Sequence, residues 1–211
     1  MIKIAIIDYG MGNTRSIINA LEVLGVKPFV SACPHTLKQA DAYILPGVGA
    51  FPQAMANFHQ RGLQPLLEEQ VQQRQKPLLG ICLGMHLLAE NSEEQGMTQG
   101  LNWISGHVVA LTPKDQPHAL HVGWNHLHIK HQDPCIDQLD AASHFYFDHG
   151  YRFVCTDPEA IIATSNHTTE IVAIVRKGPI FATQFHPEKS QRSGLLLLRN
   201  WLQLAASHLP H

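Results

Sequence analysis

The sequence predicts an α/β fold, an open and mostly parallel sheet flanked by helices and carrying an antiparallel extension. Three observations predict it. Short apolar runs alternate with helical patterns through the first half, those runs are apolar throughout instead of every second residue, and the second half changes to closely spaced strands. Strands separated by helices pair in parallel. A strand that is apolar on both sides is one covered on both faces.

The elements follow in order. Ile2 to Ile7 reads as a strand, Arg15 to Leu24 as a helix, Ala42 to Leu45 as a strand, Pro65 to Gln73 as a helix and Pro77 to Ile81 as a strand. A further helical pattern runs from Leu83 to Ala89. From Trp103 to Gln184 come HVVAL, HVGWNHLHI, SHFYFDHGYRFVC, AIIATS, EIVAIVRKG and PIFATQF, with Lys177-Gly178 as a hairpin turn between the last two. A final amphipathic helix, about Ser193 to Ala206, places Leu195, Leu196, Leu198, Trp201, Leu202 and Ala205 at helical spacing. There is no internal repeat and no low-complexity linker.

The 211 residues, 45% of them hydrophobic, suffice for one sizeable core, so residues 1–211 are expected to form a single domain. Fifteen Lys plus Arg against seventeen Asp plus Glu give a net charge of -2, with no excess positive charge for nucleic acid or anionic lipid. The four cysteines (Cys33, Cys82, Cys135, Cys155) are widely spaced, and the start MIKIAIIDYG runs straight into a strand pattern with no signal-peptide character. No apolar run approaches the roughly 20 residues that cross a bilayer. A cytoplasmic protein is expected, with small molecules or proteins as its ligands.

Gly80-Ile81-Cys82-Leu83-Gly84 has the spacing of a nucleophile elbow. A sharp strand-to-helix turn holds the nucleophile in a strained conformation, and glycines two residues away prevent clashes. A thiol at a helix start also meets the positive end of the helix dipole, which favours the thiolate. An inert buried cysteine in a βα turn is the plainer alternative for this motif taken by itself.

His186 and Glu188 stand one residue apart after the strand PIFATQF, and in an extended segment both would project to one side. A histidine that takes a thiol proton and later protonates a leaving amine needs a fixed tautomer, which a neighbouring carboxylate supplies. Among fifteen histidines, such a pair alone could also be an idle surface feature. Upstream, the strand ending at Leu45 runs into Pro46-Gly47-Val48-Gly49. Two glycines there let backbone amides approach a reacting carbonyl and point at a developing oxyanion. Ligands of open α/β sheets collect at the carboxyl ends of the strands, where this turn falls.

The elbow cysteine, the upstream glycine turn and the His-Pro-Glu triplet, in this order, resemble the class I (triad) glutamine amidotransferases, which have a flavodoxin-like sheet. Within that group the chain is similar, across nearly its full length, to the glutaminase subunits of imidazole glycerol phosphate synthase. The carrying segments are Ile7-Asp8-Tyr9-Gly10-Met11-Gly12-Asn13, Pro46-Gly47-Val48-Gly49-Ala50-Phe51, Gly80-Ile81-Cys82-Leu83-Gly84-Met85, His121-Val122-Gly123-Trp124-Asn125 and Gln184-Phe185-His186-Pro187-Glu188-Lys189-Ser190.

The resemblance implies a catalytic triad of Cys82, His186 and Glu188. It implies that glutamine is hydrolysed through a thioester and that the ammonia passes to a HisF-like cyclase, a (β/α)8 barrel, in a heterodimer of histidine biosynthesis. Gly47, Val48, Gly49, Leu83, His86, His149, Gly150 and Tyr151 would form the oxyanion and glutamine-binding residues, with Gly47 to Gly49 gating the oxyanion hole. Asn13, Trp124, Tyr146 and Lys189 would face the partner, although Trp124 and Tyr146 read equally well as core aromatics.

Three positions depart from the pattern. His86 stands where a glutamine usually holds the substrate, and His149-Gly150-Tyr151 replaces His-Ser-Tyr or His-Thr-Tyr, with Asp148 in a normally apolar position. The lost amide and hydroxyl are two contacts worth about 0.5 to 1.5 kcal/mol each. Those departures keep open an amidotransferase feeding a different synthase, such as one making amidino sugars. A scaffold subunit without turnover and a stand-alone cysteine hydrolase are further alternatives. His118, His121, His126, His128 and His131 cluster within fourteen residues, but no cysteine completes a zinc pattern, so neither metal nor cofactor is expected.

Overall fold

A computed structural model describes residues 2–112, 119–140 and 142–208. The chain runs β1 (Ile4–Ile7), α1 (Thr14–Val23), β2 (Phe29–Ser31), α2 (Pro34–Leu37), β3 (Ala42–Leu45), α3 (Phe51–Gln60), α4 (Leu63–Leu67), β4 (Leu78–Ile81) and α5 (Leu83–His86). After it come β5 (Asn91–Ser92), β6 (Thr98–Gln99), β7 (Gly106–Ala110), β8 (His121–Asn125), β9 (His128–Ile129), β10 (Phe145–His149), β11 (Tyr151–Cys155), β12 (Ile161–His167), β13 (Thr169–Lys177), β14 (Ile180–Thr183) and α6 (Gln191–Ser207).

The main sheet has the order β2-β1-β3-β4-β14-β13-β12-β9. Its first five strands are parallel, and β13, β12 and β9 continue it antiparallel. The predicted mixture of a parallel core and an antiparallel extension is present. Every residue of β1, β3, β4 and β14 is buried, as expected for strands covered on both faces. Alternate residues serve the two layers. Ile4, Ile6, Ile44 and Leu79 pack with Ile17 and Leu21 of α1 and Leu197, Leu198 and Trp201 of α6, whereas Ala5, Ile7, Tyr43 and Leu45 pack with Phe51, Met55 and Phe58 of α3. Full burial of one such large side chain stabilises by about 1.5–3 kcal/mol.

Several expectations need correction. The strand Phe29–Ser31 and the helix Phe51–Gln60 were not foreseen, and the helix read as Pro65 to Gln73 begins at Leu63 and becomes π-helical over Glu68–Gln73. The helix after Cys82 ends at His86 instead of Ala89. In α6 it is Leu197 that is buried, while Leu195 and Leu196 are only partly so.

The runs HVGWNHLHI and SHFYFDHGYRFVC each split in two. β8 pairs with β10 as a separate ribbon, β11 pairs with β7 in a second small sheet, and β9 edges the main sheet. His126 thus lies between two strands and does not share a strand face with His128. His118 lies outside the described residues. The hairpin at Lys177-Gly178 is present, with Lys177 opposite Ile180 and Gly178 at φ +55°. All four cysteines are free, and among the described residues no helix is long and apolar enough to cross a membrane.

Candidate active site

β1, β3, β4 and β14 all point their carboxyl ends at one edge of the sheet, and each delivers part of the site there. Cys82 follows β4 directly and sits at φ 53°, ψ −110°, a left-handed conformation that costs a non-glycine residue on the order of 1–3 kcal/mol. Its N–H donates to the Thr183 carbonyl at 2.8 Å and its carbonyl accepts from Met85 at 2.9 Å, so both neighbouring elements hold the strain.

Gly84 is obligatory for this packing. A Cβ there would lie 2.0 Å from the carbonyl oxygen of Leu45. A Cβ on Gly47 would lie 2.6 Å from the Tyr9 hydroxyl and 2.7 Å from Leu83 Cβ. That hydroxyl in turn donates to the Pro46 carbonyl at 2.6 Å, fixing the entrance to the glycine turn. The elbow and the turn therefore sit against each other with no side chain between them.

His186 is brought to Cys82 from β14. Its N–H donates to the Tyr146 carbonyl at 2.9 Å, and Ser190 Oγ donates to the His186 carbonyl at 2.6 Å while accepting from the Tyr146 N–H at 3.0 Å. His186 Nδ1 donates to Glu188 Oε1 at 2.8 Å, with both side chains almost wholly buried. The pair is made by the 3-10 turn Pro187–Lys189, not by alternation along an extended strand as expected. Burial opposes a charge on the ring, but the Cys82 sulfur and the Glu188 carboxylate outweigh it and raise His186 to about 10. Among the described residues, His186 Nε2 is a buried nitrogen with no hydrogen-bond partner, which leaves it free for a reacting group.

Val48, Gly49, Cys82, Leu83, His86, Glu94, Leu120, Asp148, His149, Gly150 and Tyr151 enclose a cavity of about 420 Å³. Seven of the eight expected oxyanion and substrate residues thus line one pocket, and Gly47 lies just behind it. Gly49 has φ +108° and Val48 is 42% exposed. A Cβ on Gly150 would stand 3.0 Å from Leu120 Cδ2, so a leucine occupies the space of a larger side chain at this position.

His86 reaches the pocket wall, but its Nε2 is engaged by Gln184 Oε1 at 2.7 Å. The amide nitrogen of Gln184 faces Cys82 Sγ at 4.0 Å. Burial lowers His86 to about 4 despite that hydrogen bond, so the ring is neutral.

Three of the expected partner-facing residues, Trp124, Tyr146 and Lys189, form one cluster. Trp124 is 48% exposed and meets Tyr146 edge-on at 5.8 Å, which removes the reading of Trp124 as a core aromatic. Lys189 Nζ lies 5.6 Å from the Tyr146 ring centre and 3.9 Å from Asp148 Oδ2. Asn13 caps α1, accepting from the Ser16 N–H at 3.3 Å, and α1 packs against the turn Pro187–Lys189 that carries Lys189.

Glu94, Leu120, Gln184 and Ser190 were not singled out in the sequence. Glu94 comes from the turn between β5 and β6 and accepts from the Phe51 N–H at 3.0 Å, a pairing across 43 residues that no local spacing announces. Burial raises its carboxyl despite that hydrogen bond.

The architecture is that of the class-I glutamine amidotransferases, and the model of that family matches residues 5–203. Within the family the chain belongs with the HisH subunits of imidazole glycerol phosphate synthase. It is 47% identical to "Imidazole glycerol phosphate synthase subunit HisH 2" of Vibrio vulnificus, over 95% of this chain and 94% of that one. It is 45% identical to "Imidazole glycerol phosphate synthase subunit HisH" of Listeria monocytogenes, over 97% of each. Among solved structures it is similar to PurLQS from Thermotoga maritima, with TM-score 0.75, 17% identity and coverage of 96% and 98%. The glutaminase domain of Trypanosoma brucei CTPS superimposes with TM-score 0.68 at 16% identity, covering 100% of this chain and 96% of that one. At those identities the structural likeness concerns the fold.

Proposed function

We propose that the chain, acting as one amidotransferase domain in the cytoplasm, is the glutaminase subunit of an imidazole glycerol phosphate synthase. The observation that carries this is the strained Cys82 facing a pocket beside a buried histidine whose Nδ1 is held by a carboxylate.

Cys82 passes its thiol proton to His186 Nε2 as Sγ attacks the side-chain carbonyl carbon of glutamine, forming the S–C bond while the carbonyl electrons move to oxygen. The N–H groups of Leu83 and of the Val48-Gly49 turn stabilise that oxyanion. His186 Nε2 protonates the departing nitrogen, the C–N bond breaks, and ammonia leaves a thioester. Water then gives a proton to His186 and attacks the same carbon, which releases glutamate and restores the thiol. Glu188 accepts from the Nδ1–H of His186, which orients the ring and stabilises it whenever Nε2 also carries a proton. Glu94, a carboxylate in the pocket wall, suits the ammonium group of the amino acid.

Trp124, Tyr146 and Lys189, with Asn13 beside α1, form the docking face for a HisF-like (β/α)8-barrel cyclase. In that heterodimer the ammonia is channelled to the partner, which carries out the lyase step of histidine biosynthesis.

The test is glutamate release from glutamine by the protein alone and with a histidine-pathway cyclase and its nucleotide substrate. Strong stimulation by the cyclase, abolished by Cys82→Ser in a protein that still folds, is the expected result. Glutamate release that survives Cys82→Ser would remove the mechanism, and release indifferent to the cyclase would remove the partner.

A further inference from the structure

The pocket wall contains a histidine pair that this mechanism does not use. His149 Nδ1 lies 2.8 Å from the Tyr151 carbonyl oxygen, and its Nε2 lies 3.0 Å from His121 Nδ1. His121 Nε2 lies 3.1 Å from Asn125 Nδ2, which also donates to the Asn166 carbonyl at 2.9 Å, while Asn125 Oδ1 accepts from the His126 N–H. A carbonyl only accepts, so Nδ1 of His149 carries a proton. The Asn125 amide nitrogen only donates, so Nε2 of His121 carries none and Nδ1 of His121 must be its protonated nitrogen. That nitrogen donates to His149 Nε2, which is therefore bare. One arrangement satisfies every contact, and in it both rings are neutral.

We propose that His121 is a positioning residue that holds His149 in the uncharged Nδ1–H form, so that the pocket accepts the ammonium group of an amino acid at pH values where an unrestrained histidine would be protonated. Both rings are buried, and His121 is stacked between Phe147 at 4.3 Å and His167 at 4.2 Å. The titratable groups around the pair are His86 on α5, His167 on β12, Asp148 on β10, Tyr151 on β11, Glu94 across the pocket and Cys82 at the elbow. A positive charge on His149 would oppose an ammonium in the same cavity. Burial, partly offset by the Tyr151 carbonyl and reinforced by His86, His121 and His167, lowers His149 to about 3, and burial with His167 lowers His121 to about 4.

The substrate part of this proposal rests on the glutaminase reading; the state of the pair does not. Nitrogen NMR of the histidine rings in the free full-length protein is the direct test. From pH 5 to 8, His149 is expected to show a protonated Nδ1 and a bare Nε2, with no titration. Either a proton taken up in that range or one resting on Nε2 overturns the proposal, with no variant required. His121→Phe keeps the stacked ring and removes the donor, whereas His121→Asn removes the stack and places an amide N–H where Nδ1 stood. His149 should take up its proton at a higher pH in H121F than in the wild type or H121N, while burial still keeps it below a free imidazole; any other pattern assigns the role to packing and overturns the proposal. In H121F the glutamine KM should rise severalfold from pH 8 to pH 5.5 with kcat changing less, and a KM that stays flat overturns the substrate part. Absence of glutamate release with the NMR pattern intact would sink the glutaminase reading and leave the state of the pair standing.

Discussion

His86 Nε2, at the end of α5, and Gln184 Oε1, just past β14, lie 2.7 Å apart and both are buried. The contact turns the Gln184 amide nitrogen towards Cys82 Sγ. The histidine that stands in place of a glutamine therefore serves the surroundings of the nucleophile.

His86→Leu leaves Gln184 Oε1 buried without its donor and should destabilise the fold by about 1–3 kcal/mol. His86→Gln supplies an N–H donor and should cost less than half of that. Urea denaturation of the two variants separates them, and equal losses would show that ring volume, not the hydrogen bond, is what matters.

Acid should destabilise the protein through its neutral buried histidines. His86, His121 and His149 are held at about 4, 4 and 3 in the folded state, below the roughly 6.5 of an unfolded chain. The unfolded state then binds more protons, so their contribution is complete above about pH 6.5 and is lost as the pH falls towards 4. Each proton contributes a slope of about 1.4 kcal/mol per pH unit. Unfolding free energies from urea titrations between pH 5 and 6 should follow this slope, and His86→Gln should lower it by about one proton; parallel curves for variant and wild type would exclude His86 as a contributor.

Glu188→Gln should lower kcat for glutamate release by on the order of 10²–10⁴ with little change in KM, because the tautomer and the charge of His186 lose their partner. With the carboxylate gone, His186 should also titrate lower than about 10. Nearly wild-type turnover in this variant would show that Tyr146 and Ser190, which hold the His186 backbone, suffice to orient the ring.

Gly84→Ala drives a methyl group to 2.0 Å from the Leu45 carbonyl. Overpacking of this kind costs about 1–3 kcal/mol or more, and here the relief must move either β3 or the elbow. A thermal melt should show the loss, and glutaminase activity should fall further than the fraction unfolded explains.

Trp124→Ala should leave thermal stability nearly unchanged, since the ring is about half exposed. Cyclase affinity should fall about 30-fold, equivalent to about 2 kcal/mol, if the indole is an anchor of the interface. Calorimetric titration with the cyclase measures this, and an unchanged Kd would move the docking face elsewhere.

The parallel strands and the main catalytic candidates were readable because their signals are local. IAIID, AYILP and PLLGI are continuous apolar runs, and the elbow motif and the His-Pro-Glu triplet are each contained within a few consecutive residues. Phe29–Ser31 and Phe51–Gln60 were hidden, the first by being three residues long and the second by beginning at the last residue of a motif read for its glycines, with Pro52 directly after it. The second half misled through length. SHFYFDHGYRFVC has the pattern of one strand, and only pairing with His121–Asn125 on one side of Gly150 and with Gly106–Ala110 on the other divides it.

The sequence by itself determined the fold class and the family and singled out the candidate nucleophile and base, because hydrophobic period, glycine spacing and short motifs act over neighbouring residues. Tertiary structure alone decided that Glu94 lines the pocket, that Leu120 fills the space over Gly150, that His86 answers to Gln184 and that His121 fixes the proton on His149. Those contacts join residues 28 to 98 positions apart. They exist only once burial has removed water and each polar atom must find the partner that the sheet has carried to it.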